Sequence, residues 1–196
     1  MPATPPTGTA PTRRKRADAL QNLDAVLEAA KAVFAESGVD APVRTIAERA
    51  GVGVGTVYRH FPLRSDLISA VFRREMDACV GAADELEATM PPGEALDRWV
   101  LRYTEFVAAK QGLAAALHSG DPAYEPLAEY FSTRLTPTLE RLLVAARGAG
   151  AVTQEVDPSE FLGAVADLCH GTRPTTRGRD HAERMVRLLL AGLRAS

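Results

Sequence analysis

A chain of 196 residues, 46% hydrophobic and 24% charged, is long enough to bury a core in one or two small domains and has an ordinary globular composition. No apolar run approaches the roughly 20 residues that cross a bilayer, and the basic cluster near the N-terminus is not followed by a signal-peptide h-region. Cys79 and Cys169 are too few and too far apart for a disulfide framework or a spaced metal motif, so a cytoplasmic protein with no cofactor and no metal is expected.

The net charge of −2 hides an asymmetry. Residues 1–66 hold nine Lys/Arg against seven Asp/Glu, and residues 67–196 hold fourteen against eighteen. A slightly basic head on an acidic body suits contact with an anionic polymer at one end.

In chain order, residues 1–12 are Pro, Thr, Ala and Gly and read as disordered, and Arg13-Arg14-Lys15-Arg16 follows directly. Leu20, Leu23, Leu27, Ala30 and Phe34 mark one face of an amphipathic helix that Gly38 caps. Pro42 is expected in the first turn of a short second helix with Ile46, Ala47 and Ala50, and Val54–His60 forms a third that Phe61-Pro62 stops. A fourth starts near Arg64 and runs to about Val80. Beyond MPPGE (90–94), Leu96, Trp99, Val100, Tyr103, Phe106 and Val107 mark another helix, and Leu127, Phe131, Leu135, Leu139 and Leu142 the next. Asp157-Pro158-Ser159-Glu160 reads as a helix start, Gly171–Gly178 as a loop, and residues 180–193 as the last helix. No strand pattern appears: the fold class is all-α.

Residues 46–57 meet the requirements of a helix-turn-helix. The small Ala47 lets a second helix cross, Gly51 four residues later tolerates the positive φ of a tight turn, and Ile46, Ala50, Val52 and Val57 supply the contacts. Val54, Gly55, Thr56, Tyr58, Arg59 and His60 then lie along the helix whose exposed side enters a major groove. Gly55 allows close backbone approach. Tyr58 and His60 suit phosphate oxygens, and Arg59 suits phosphate or guanine O6/N7. Arg44 would sit beside the DNA backbone or an adjacent base, and Arg64 would clamp another phosphate. The basic run 13–16 is expected to act as an arm adding phosphate contacts.

The stretch VRTIAERAGVGVGTVYRHFPLRSDLISAVF (43–72) resembles the N-terminal domain of the tetracycline-repressor (TetR) family of bacterial transcriptional regulators, above all in G-V-x-x-G-T-V-Y-R-H-F. The resemblance runs from about Leu20 to Phe72 and places DNA contacts on the eight residues from Arg44 to Arg64 just named. It departs at Val43 and Leu63, where the family often carries hydroxyl or amide side chains that cap helices and reach phosphate. It implies a basic arm (1–16), a helix-turn-helix DNA-binding domain (17–64) and a helical effector-binding and dimerisation domain (65–196). A homodimeric repressor on a palindromic operator, released by a small ligand, follows as the expected function.

The body has no motif of its own. Trp99, Tyr103, Phe106, His118, Tyr124 and Phe131 are the candidates for a mostly apolar ligand pocket suited to a hydrophobic or aromatic molecule. Leu162, Val165, Ala166, Met185, Leu188, Leu189 and Gly192 are the candidates for a four-helix dimer seam.

Three alternatives stand beside this reading. An enzyme is disfavoured, with no catalytic residues expected: Gly51–Gly55 lacks the preceding strand and following Lys-Ser/Thr of a phosphate loop, and adjacent Cys169 and His170 point about 100° apart on a helix. A metal or redox sensor built from Cys79, Cys169, His118, His170 and His181 lacks ligand spacing. A DNA-binding regulator without any effector remains open.

Overall fold

Gly38 and Gly51 set the path of the first helices, because both sit in the left-handed region (φ 78° and 69°) that an L side chain enters only at a cost. The computed structural model describes residues 10–111, 113, 116, 119–170 and 176–194. Helix α1 (Ala10–Ser37) ends at Gly38, whose N–H reaches the Phe34 carbonyl at 2.9 Å. It begins earlier than expected, so residues 10–16 belong to a helix rather than to a disordered arm. Pro11 does not prevent this, because a proline in the first turn costs no intrahelical hydrogen bond. Residues 1–9, and the side chains of the basic run, lie outside the described ones.

Helix α2 (Val43–Ala50) closes at Gly51, with the Val52 N–H on the Ala47 carbonyl at 3.0 Å. Pro42 takes the N-cap position (φ −60°, ψ 136°) instead of the first turn. Helix α3 (Val54–His60) stops at Phe61 as expected. Helix α4 (Arg64–Thr89) is the longest after α1, nine residues beyond the expected end near Val80. At 1.5 Å per residue it spans about 39 Å, and its buried residues run from Leu67 and Ile68 in the head to Cys79 and Ala83 in the body.

The body adds α5 (Pro92–Gln111), a 3₁₀ turn (Pro122–Tyr124), α6 (Glu125–Gly148), α7 (Pro158–His170) and α8 (Thr176–Gly192). Helix α8 starts four residues before the expected 180, and residues 171–175 of the expected loop lie outside the described ones. Helix α5 packs on α4, α6, α7 and α8, which makes it the centre of the body. Trp99 on α5 is fully buried, and its indole N–H donates to the Cys79 carbonyl at 2.9 Å. That bond offsets the cost of burying a polar N–H. One continuous core runs from Val26 on α1 to Leu193. Among the described residues no strand occurs, and no helix is long and apolar enough to cross a membrane.

Candidate nucleic-acid interface and body cavity

Helix α3 is anchored by one buried side chain, Val57, and turns the rest of its surface outward. Tyr58 is 52% exposed, and Arg59 and His60 are exposed beside it. Val54 and Thr56 are half-buried at the junction with α2, on the edge of this face. Arg59 makes no ion pair among the described residues, so its guanidinium has no internal role to explain it.

Gly55 is the most informative position. A Cβ built there would meet nothing within 4 Å, and its φ is not in the left-handed region. Neither packing nor backbone conformation requires glycine at this position in the first turn of α3. Glycine there leaves the outer side of the first turn of α3 without a side chain.

The other two arginines behave differently from each other. Arg44 is exposed on α2 and its Nε donates to Glu48 Oε1 at 2.9 Å along the helix, a contact worth little at the surface. Arg64, at the start of α4, turns its Nη1 back to the carbonyls of Val39 and Ala41, the latter at 2.9 Å. The residue expected to clamp phosphate therefore also ties the turn between α1 and α2 to the start of α4. The departure at Leu63 is visible too, because Leu63 is the N-cap of α4 and offers no side-chain cap, whereas on α2 the N-cap position belongs to Pro42 and Val43 follows it. On α4 the Asp66 carboxylate compensates in part, accepting the Leu63 N–H at 3.0 Å.

Ion pairs brace the head. Arg49 Nη1 meets Glu36 Oε2 at 2.7 Å, and that hydrogen bond lowers the Glu36 pKa and raises that of Arg49. Lys31–Glu75 (2.8 Å) and Arg74–Glu28 (3.1 Å) join α1 to α4. Two residues further along, Asp77 accepts from Tyr130 Oη at 2.6 Å and from Arg134 Nη2 at 3.0 Å, both on α6. Arg73 and Arg134 flank the Tyr130 ring, with guanidinium carbons 5.6 and 5.4 Å from its centroid. Arg141 on α6 adds bonds to Asp84 and Glu87. Helix α4 is thus gripped by α1 on the head side and by α6 on the body side.

A cavity of about 200 Å³ lies between α5, α6 and α7. Tyr103, Phe106 and Phe131 line it as expected, with ring centroids 6.0–6.4 Å apart. Trp99 and Tyr124 do not: Trp99 is core, and Tyr124 is half-buried in the 3₁₀ turn. His118 lies outside the described residues. Sequence reading missed Ser132, Thr136 and Ser159, which line the same space. The i, i+4 spacing of Ser132 and Thr136 beside Phe131 was the available signal. A separate, wider groove of about 1050 Å³ runs between the end of α1, α4, α5 and α8, with Arg98, Arg102, Glu105, Asp180, Glu183 and Arg187 along it.

The seam candidates divide. Leu162 and Val165 are buried in their own subunit's core, because the face of α7 they occupy packs on α5 and α6. They are withdrawn from the seam. Ala166 is half-buried at the cavity. Leu188 is 65% exposed, Met185 and Leu189 are half-buried, and Gly192 is exposed. Gly163 on α7 and Gly192 on α8, like Gly55, have nothing within 4 Å of a built Cβ.

The thiol sensor fares poorly on physical grounds. Burial pushes the Cys79 thiol up to about 12 and raises that of Cys169 as well, so little reactive thiolate forms at neutral pH. Among the described residues no three His, Cys, Asp or Glu side chains converge to hold a metal ion.

Residues 26–71 match the model for bacterial regulatory proteins of the tetR family, and residues 91–195 match that for the C-terminal domain of SbtR-like transcriptional regulators. A crystal structure of a TetR transcriptional regulator from Streptomyces coelicolor is 36% identical, covers 88% of this chain and 98% of its own, and superposes with a TM-score of 0.77. A TetR regulatory protein from Mycobacterium vanbaalenii is 37% identical over 92% of this chain and 99% of its own, with a TM-score of 0.74. An HTH-type transcriptional regulator of Staphylococcus aureus (strain USA300) is 41% identical over 63 residues, 32% of this chain and 34% of that protein. The match to this curated relative thus spans about a third of its length.

Proposed function

The chain belongs to the tetR family of bacterial regulatory proteins and is a DNA-binding transcriptional regulator, and on that premise we propose that it is a homodimeric, cytoplasmic repressor of a palindromic operator, released by a small apolar ligand. The TetR regulators it resembles are DNA-binding proteins rather than enzymes. The outer face of α3 reads the major groove through Arg59, with Thr56, Tyr58 and His60 on the backbone and Gly55 allowing close approach. Arg44 and Val54 lie at the edge of that contact. Arg64 contributes mainly by holding the α1–α2 turn, and residues 13–16 add phosphate contacts.

Two heads on successive major grooves must stand about 34–36 Å apart, which requires a fixed dimer. Met185, Leu188, Leu189 and Gly192 on α8, with Ala166 and Gly163 on α7, provide the face for it. The exposed Leu188 supports this seam, since a large apolar side chain in solvent is explained by a partner helix.

The observation that carries the ligand-release reading is on α6. Phe131 and Ser132 line the cavity, while the adjacent Tyr130 grips Asp77 of α4. A ligand that displaces this turn of α6 pulls on α4, and α4 starts directly after α3. Release is then a population shift between two head spacings. Selection of random or genomic duplexes on the purified protein, followed by anisotropy in increasing salt, tests the DNA half: an enriched palindrome and a steep salt slope are expected. The Asp77→Asn variant tests the coupling. Ligand binding should persist while operator release weakens. Equal release in variant and wild type would remove the Tyr130–Asp77 link from the mechanism, and a repressor that no cavity-bound compound releases would favour the effector-free alternative.

A further inference from the structure

Three of the four hydroxyls that line the cavity already donate within the protein. Ser159 Oγ donates to Asp157 Oδ1 at 2.7 Å, inside the cap of α7 where Asp157 also accepts the N–H groups of Ser159 and Glu160 at 2.9 Å. A carboxylate acceptor makes that bond a strong one. Ser132 Oγ donates to the Glu129 carbonyl at 3.1 Å, one turn back along α6. A hydroxyl has one proton and two lone pairs, so each of these side chains offers the cavity an acceptor only. Thr136 makes no hydrogen bond among the described residues and can turn either way. Tyr103 adds no donor, because its Oη faces the Leu162 carbonyl at 3.3 Å.

The rest of the lining fixes size and charge. Among the described residues no Asp, Glu, Lys, Arg or His lines the cavity, so a charged ligand group would find no counter-ion in that lining. The volume, about 200 Å³, is somewhat larger than the ~150 Å³ of a cavity that takes benzene. The rings of Tyr103, Phe106 and Phe131 offer flat faces for stacking.

Resting on the reading that this cavity takes the effector, we propose that its occupant is a small, neutral aromatic molecule with one or two rings and an N–H or O–H donor, of the indole or phenol type. The ring lies among Tyr103, Phe106 and Phe131, and the donor meets the lone pairs of Ser132 and Ser159. Hydrogen-bond polarity, rather than apolarity alone, sets the specificity.

Calorimetry on the full-length protein with indole and with benzofuran, its near-isostere lacking the donor, tests this. Indole should bind at least tenfold more tightly, Ser132→Ala should narrow that ratio, and Ala166→Leu, which fills the space, should abolish binding of both. Equal binding, tighter benzofuran, no binding of either at millimolar concentration, or indole binding indifferent to both substitutions would overturn the proposal. Anisotropy on the selected operator separates the two claims. Preferential indole binding with the operator still held leaves this inference standing and defeats ligand release. Equal release by both compounds does the reverse.

Discussion

Head and body hold opposite kinds of surface. In the head, α3 buries Val57, packs Val54 partly on the core and exposes Tyr58, Arg59 and His60, so its polar side chains face outward from a small core. In the body, the large aromatic residues Trp99, Tyr103 and Phe106 are buried and packed around one another, and the chemistry faces a cavity. The difference shows how to tell a binding residue from a packing one. In the head, a residue type unexplained by the subunit (Gly55, Arg59) points to an external partner. In the body, space that the side chains leave unfilled does so.

The largest expected effect breaks the proposed seam between two copies. Leu188→Glu places a charge on the exposed face of α8, and dimer formation, followed by sedimentation, should be lost together with operator binding. A variant that stays dimeric would move the seam elsewhere. Next comes Arg59→Ala, which should cost about 1–3 kcal/mol per half-site and relax base preference at one position. Unchanged operator selectivity would reassign α3.

A third expectation concerns the body alone. Burial raises the Cys79 thiol to about 12, against about 8.5 in an unfolded chain. The stability this neutral thiol contributes is fully present below about pH 8.5 and is lost as pH rises towards 12, at up to 1.4 kcal/mol per pH unit, about. Urea titrations at pH 8 and 10.5 should show that loss in the wild type and a flatter dependence in Cys79→Ala. Parallel curves would mean that the thiol is not the titrating group.

The two regions also differ in how far the sequence discloses them. The helix-turn-helix was legible because its constraints are local: Ala47, Gly51 and Val57 fall within eleven residues and each serves one geometric need. The tie that Arg64 makes to the α1–α2 turn was not legible, because its carbonyl partners lie 23 and 25 residues away. In the body, helical periodicity shows which residues are apolar but not which way a face turns in three dimensions. Leu162 and Val165 therefore looked like Leu188, although they point inward and it points outward. The cavity hydroxyls come from α5, α6 and α7, and nothing in the spacing of Ser132 and Ser159 announces that they line one space.

The smallest expected change is the most direct test of the claim that the exposed face of α3 is shaped by DNA and not by the fold. Gly55→Ala should be read in two ways at once, by thermal unfolding and by anisotropy on the selected operator. A variant stabilised by up to about 1 kcal/mol that binds the operator several-fold more weakly is the expected result. A variant that is destabilised, or one that binds the operator as tightly as the wild type, would contradict it.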